Sequence, residues 1–256
     1  MAGRNGFIVS VFLVFILALS GALFAQRVID LDKVWGDMRV LGKAANDRSG
    51  SAVAYGDING DGFMDLIIGA PQAKPGERFH AGETYVIFGS GSPPSSIDLN
   101  TQSADITICG AEAYDRCGRA VASGDFNGDE YDDIIIGAPY ASPGGRTNAG
   151  ETYVIFGSSN PPSTIDLNTT PADITVCGAV SMDNSGYAVA GGDVNGDGFD
   201  DIIIGAPLAD PGDPPRWAAG ETYVIFGASF SSPPYILDLS SWPADITVCG
   251  DADWDQ

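Results

Sequence analysis

Aspartate and asparagine recur at every second position in three short stretches of this chain. The first reads Asp57-x-Asn59-x-Asp61-Gly62-x-x-Asp65; the second places Asp125, Asn127, Asp129 and Asp133 at the same intervals, and the third Asp193, Asn195, Asp197 and Asp201. Oxygens at positions 1, 3 and 5 converge on one point when such a loop coils tightly. The residue at position 7 (Phe63, Tyr131 or Phe199) can add its backbone carbonyl, and the carboxylate at position 9 closes the set. Three carboxylates, an amide oxygen, a carbonyl and water make about six or seven hard oxygens, which suits Ca²⁺ better than the strict octahedron of Mg²⁺. The expected cofactor is therefore one Ca²⁺ per loop, with three loops in the chain. An EF-hand shares this spacing but needs a glutamate at position 12 and flanking helices. Position 12 here is Ile68, Ile136 or Ile204, inside an apolar run, so the EF-hand is rejected. Plain Asx turns with solvated acids are the blander reading. Threefold recurrence at constant spacing speaks against it. So does the mutual repulsion of clustered carboxylates, on the order of kilocalories per mole at an intermediate dielectric. Glu130 stands where the sister loops have Gly62 and Gly198; a positive φ there would strain the second loop by ~1 kcal/mol and weaken its binding.

These loops belong to a larger repeat. The interval from Asp57 to Asp125 and from Asp125 to Asp193 is 68 residues, and residues 49–116 match 117–184 at 45 of 68 positions without a gap. The third copy lengthens its loops at Ala209–Ala218 and Ser229–Asp238. Each copy holds four short strand candidates bounded by Gly, Pro, Asn or Asp. In the first copy they are strand A (Gly50–Tyr55), strand B (Asp65–Gly69), strand C (Glu83–Phe88) and strand D (Asp105–Cys109). Strands B and C are apolar on both faces and must be covered on both sides. Strand A is lined with small residues that suit a crowded inner position. Four-stranded blades stacked around an axis meet both demands, so the fold class is all-β, a partial β-propeller. Three blades do not close a ring. The reading is a signal peptide at 1–25, a lead-in with a lone strand-D-like stretch (Met38–Gly42) at 26–48, blades at 49–116, 117–184 and 185–250, and the start of a further blade at 251–256.

The remaining features narrow the function. Arg4 followed by the apolar run Phe7–Leu19, with small residues near Ser20 and Ala25, reads as an export signal, with an uncleaved membrane anchor as the alternative. Secretion or cell-surface display is expected. A formal charge of −22 excludes nucleic acid as a partner. Cys109, Cys177 and Cys249 occupy equivalent places and read as buried free thiols, although Cys109 and Cys117 are spaced so that a bridge is possible. His80 is the single histidine, which removes histidine triads and histidine-based zinc sites, and no enzymatic activity is expected. Asn168-Thr169-Thr170 is an N-glycosylation sequon. Arg78, Arg146 and Arg216 recur in the Pro-rich B–C loops, where blade-to-blade ion pairs or ligand anchoring are the two roles to weigh.

The sequence of a strand, the Asp-x-Asn-x-Asp loop, a strand ending in Gly69-Ala70-Pro71, and then Gly-Glu-Thr-Tyr-Val-Ile-Phe (82–88) resembles the FG-GAP repeat of integrin α-subunit β-propellers over residues ~38–256. The resemblance implies a seven-bladed ring with calcium in the A–B loops, held here by the Asp and Asn residues named above. It also implies a role in cell adhesion or in binding an extracellular protein or glycan. Similar repeats accompany some secreted hydrolases, so the non-catalytic part of such an enzyme, or a structural cell-envelope protein, is the alternative. Membrane attachment would come through an uncleaved N-terminal anchor or a C-terminal part. The Phe-Gly half of the motif departs from the family, being Ser49-Gly50, Cys117-Gly118 and Ser185-Gly186. That departure bears on inter-blade packing.

Overall fold

A computed structural model describes residues 38–212, 214–230 and 233–251. The signal peptide expected at 1–25, most of the lead-in, and all of the expected next blade except Asp251 lie outside the described residues. A short strand β1 (Arg39–Leu41) comes first. Repeat 1 then forms β2 (Ala52–Gly56), β3 (Asp65–Ala70), β4 (Glu83–Ile87), β5 (Ser96–Asp98) and β6 (Ile106–Cys109). Repeat 2 forms β7 (Ala120–Gly124), β8 (Asp133–Ala138), β9 (Glu151–Ile155), β10 (Thr164–Asp166) and β11 (Ile174–Cys177). Repeat 3 forms β12 (Ala188–Gly192), β13 (Asp201–Ala206), β14 (Glu221–Ile225), β15 (Tyr235–Asp238) and β16 (Ile246–Cys249). Strands A to D are β2, β3, β4 and β6 and their counterparts, paired antiparallel in chain order. Among the described residues no helix is long and apolar enough to cross a membrane.

A fifth strand per repeat was not anticipated. β5, β10 and β15 lie in the C–D connection, and β10 and β15 pair in parallel with β6 and β11, the D strands of the preceding repeats. β1 pairs with β5 in the same way, so it occupies the place of a strand D. The Pro-Pro-Ser flanks of β5 and β10 read as loop, yet Ile97 and Leu99 are both 6 % exposed, and Ile165 and Leu167 are likewise buried against the sheet. This strand laces each blade to the one before it.

Stacked blades form the core. Ile67, Val86, Ile106 and Ile108 of repeat 1 meet Ile134, Ile136 and Tyr153 of repeat 2, and a second layer joins Ile135, Val154 and Ile174 to Ile202, Ile204 and Tyr223. Burying each isoleucine contributes roughly 1.5–3 kcal/mol. Two apolar faces on strands B and C are thereby satisfied, one by each neighbour. The Gly-Ala-Pro motif has a steric cause: a Cβ on Gly69 would overlap the carbonyl of Gly118, and one on Gly137 that of Gly186. Where the family has phenylalanine, Cys117 and Ser185 are buried at 0 % and 1 % exposure and Ser49 is half-buried. A–B loops and C–D connections emerge at one end of each blade; B–C loops and D–A connections emerge at the other.

Candidate metal centre

Each A–B hairpin closes where the last residue of strand A pairs with the position-9 aspartate: Gly56 with Asp65, Gly124 with Asp133, and Gly192 with Asp201. The eight residues between them must reverse the chain, and they do so through left-handed residues at positions 4 and 6. These are Gly60 (φ 70°) and Gly62 (φ 86°), Gly128 (75°) and Glu130 (72°), and Gly196 (79°) and Gly198 (95°). Glu130 therefore holds a backbone conformation that favours glycine. Glu130→Gly is expected to stabilise the chain by about 1 kcal/mol, read as a higher urea midpoint at unchanged slope.

Side chains at positions 1, 3 and 5 turn into the loop. In the first loop the Asp61 amide donates to both Asp57 Oδ1 (3.0 Å) and Asn59 Oδ1 (2.8 Å). The Gly62 amide donates to Asp57 Oδ2 at 2.9 Å and the Phe63 amide to Asp61 Oδ1 at 2.9 Å. Asn59 Nδ2 reaches Asp61 Oδ2 at 3.2 Å, so positions 3 and 5 point at the same place. The other loops repeat that contact at 3.0 Å (Asn127–Asp129) and 2.9 Å (Asn195–Asp197). Among the described residues, no hydrogen bond reaches the carbonyl oxygens of Phe63, Tyr131 or Phe199.

The position-9 carboxylates are fully buried, with Asp65, Asp133 and Asp201 all at 0 % exposure. Asp65 accepts from the amides of Ile58 (3.0 Å) and Gly89 (2.8 Å), which tie the loop to strand C. Asp133 and Asp201 do the same with Phe126 and Gly157, and with Val194 and Gly227. Burial pushes the Asp65 carboxyl above its ordinary range; the two amides oppose this, and Asp61 and Asp57 add to the rise. Burial pushes Asp133 up to about 8, with Asp129 and Asp125 contributing.

The donor set fits a hard cation, since positions 1, 3, 5 and 9 all carry carboxylate or amide oxygens. The carboxylates as they stand do not enclose one: among the described residues, no three acidic, thiol or imidazole groups are gathered at metal-holding distances. The reason is visible in the bonds above. Backbone amides occupy oxygens at positions 1, 3, 5 and 9, and the loop satisfies itself internally.

Other expected residues fall as follows. Arg78 donates to the Gly110 carbonyl (3.1 Å) and pairs with Asp166 of the next repeat (2.6 Å). Arg146 repeats this with Gly178 (3.1 Å) and Asp238 (2.8 Å), and Arg216 donates to Gly250 (2.9 Å). The ion-pair role holds between blades. All four cysteines are free thiols, so no Cys109–Cys117 bridge forms. Cys117 and Cys177 are buried and Cys109 half-buried, whereas Cys249 is exposed, a correction to the expectation of burial. The outer edge of β16 has no partner strand among the described residues, unlike β6 and β11. Asn168 is exposed on the turn after β10.

Sequence reasoning missed a second acidic layer at the opposite end of the blades. Glu83, Glu151 and Glu221 open strand C, and each accepts from the hydroxyl of the tyrosine two residues on. Asp47, Asp115 and Asp183 lie beside them, 8 %, 6 % and 5 % exposed. Lys43 pairs with Glu83 at 3.1 Å in repeat 1, but its equivalents in repeats 2 and 3 are Ala111 and Ala179. Their recurrence in every copy, at 68 residues except for 70 between Glu151 and Glu221, was a signal that could have found them. On the same end, Phe79, Tyr114 and Trp217 are more than half exposed.

The FG-GAP repeat family matches residues 49–87, 118–155 and 185–225. The chain is 35 % identical over 198 residues to phosphatidylinositol-glycan-specific phospholipase D of Bos taurus, covering 76 % of this chain and 23 % of that protein. It is 35 % identical to the Homo sapiens protein of the same name over 213 residues, covering 81 % and 24 %. Integrin alpha-PS2 of Drosophila melanogaster is 29 % identical over 196 residues, covering 74 % and 14 %. The chain thus spans about a quarter or less of the length of these relatives. The hairpin loops of fixed spacing and the Gly-Ala-Pro motifs fall within the matched segments, and the lacing strands lie between them: the chain is an FG-GAP repeat protein, with three such repeats in series.

Proposed function

We propose that this chain is a non-enzymatic, calcium-binding propeller segment that works outside the cell by recognising a protein or glycan ligand. One observation carries the calcium reading. Three loops aim the side chains of positions 1, 3 and 5 inward above a buried position-9 carboxylate whose hydrogen bonds come from backbone amides rather than from a cationic side chain. Asp57, Asn59, Asp61, the Phe63 carbonyl and Asp65 would hold the ion in the first loop, and their equivalents would do so in the other two. A bound cation supplies the positive charge that these acids lack and holds the hairpin at a fixed angle to the blade. Recognition is assigned to the opposite end, where the B–C loops differ most between copies and Phe79, Tyr114 and Trp217 face solvent.

Calorimetric titration with calcium tests the reading. Three sites are expected, Asp61→Ala and Asp197→Ala should each remove one, and EDTA should lower the melting temperature. No heat at millimolar calcium together with an unchanged melting curve under chelation would overturn it.

A second reading has its own support. The phospholipase D similarity, at 35 % identity over 76 % of this chain, favours a propeller that accompanies a hydrolase. A catalytic domain in the same reading frame would establish that role. A protein and glycan binding screen that yields a ligand for a chain lacking such a domain would favour recognition.

A further inference from the structure

The three loops are joined in series by contacts that all run one way. Asp132, at position 8 of the second loop, accepts the amide of Asp57, position 1 of the first, on Oδ2 at 2.7 Å. The Asp132 amide returns a bond to the Asp57 carbonyl at 3.1 Å. Asp200 and Asp125 repeat the pair at 3.0 Å in both directions. At position 7, the ring of Tyr131 lies across Gly60 so closely that a Cβ there would overlap it, and Phe199 lies across Gly128 in the same way. Position 2 is covered by the following repeat: Ile58 is 1 % exposed and its carbonyl accepts the Ser158 amide at 3.0 Å, while Phe126 is 0 % exposed and accepts from Ala228 at 3.1 Å. Val194, the equivalent in the third loop, is 54 % exposed.

These residues sit where ordering one loop must be felt by its neighbour. Asp132 stands between Tyr131 and Asp133, positions 7 and 9 of its own loop, while its side chain fixes the peptide plane of Asp57 in the loop before. Fixing that plane sets the direction in which the Asp57 carboxylate enters its loop. The conformational cost of ordering one loop is then partly met by ordering the next.

We propose that Asp132 and Asp200 are positioning residues that couple the metal loops, so that filling the second loop raises the cation affinity of the first, and filling the third raises that of the second. The coupling is reciprocal by linkage. It rests on the calcium reading above.

The test is hydrogen–deuterium exchange of peptides covering 57–65, 125–133 and 193–201 during calcium titration of the full chain. In Asp132→Ala the calcium midpoint of 57–65 is expected to rise about tenfold, within the range of ordinary coupling energies, while that of 193–201 stays in place. Asp132→Asn keeps an oxygen for the Asp57 amide and should remain within about threefold of wild type. Asp200→Ala should shift 125–133. An unmoved midpoint for 57–65 in Asp132→Ala, or an equal shift of all three loops, overturns the proposal. If the wild-type chain shows no calcium-dependent protection at all, the metal reading fails, and the positioning role is then read without metal. Faster exchange of the 57–62 amides in Asp132→Ala than in Asp132→Asn supports it, and equal rates sink it.

Discussion

Gly137→Ala is expected to destabilise the chain by about 3 kcal/mol or more, while Gly205→Ala is tolerated. Both residues are the glycine of a Gly-Ala-Pro motif on strand B. A Cβ on Gly137 would overlap the carbonyl of Gly186, the backbone of the next repeat, which cannot rotate away. Over-packing against side chains typically costs 1–3 kcal/mol, and a fixed backbone atom places this case at or above the top of that range. At Gly205 the nearest atom to an added Cβ is Ala188 Cβ at 3.5 Å, an ordinary contact. Gly205→Ala should be neutral or stabilising by about 0.4–1 kcal/mol, because alanine restricts the unfolded chain. Urea unfolding of both variants decides the matter. Equal effects at the two sites would mean that the crossing of the next repeat is not what demands glycine.

Asp115→Asn is expected to stabilise the chain above pH 7 and to leave it unchanged near pH 4. Burial pushes the Asp115 carboxyl up from 3.8 to about 7; the Glu112 amide opposes this, and Glu151 and Glu112 add to the rise. Asp183 is pushed up to about 6 by the same first cause, with Glu221 and Asp210 contributing. Between pH 4 and 7 the folded chain therefore keeps a proton that the unfolded chain releases. Stability falls as pH rises through that window, and the loss is complete above the folded value. Asparagine still accepts the Glu112 amide, which Asp115 holds at 3.1 Å, without carrying charge. The gain at pH 8 is on the order of 2 kcal/mol once screening at the site's exposed edge is allowed for. Ala111→Lys should act with the same sign by another route, supplying the ammonium that Lys43 brings to Glu83 at 3.1 Å in repeat 1. Melting curves from pH 4 to 8 check both variants, and a wild-type curve that rises across that range would contradict the assignment.

Much of this architecture could be read along the chain. Each main strand, each hairpin loop and the left-handed position of Glu130 is encoded within about a dozen residues, and the 68-residue interval shows when the copies are laid side by side. Turn residues and alternation act at that range, so spacing is enough to reveal them. The arginine pairing was also foreseeable as a role, because the same residue recurred in every copy.

What the sequence left open lies across larger separations. The parallel strand that laces β10 to β6, the Arg78–Asp166 partner, 88 residues distant, and the Asp57–Asp132 bond, 75 residues distant, exist only once blades stack in register. The same holds for the buried Asp115–Glu151 layer, whose raised carboxyl depends on how much water the neighbouring blade removes. Spacing along a strand dictates what a hairpin can hold. Which groups face one another between blades is decided by the stacking of whole sheets, because burial and hydrogen-bond direction are properties of the interface and not of either segment.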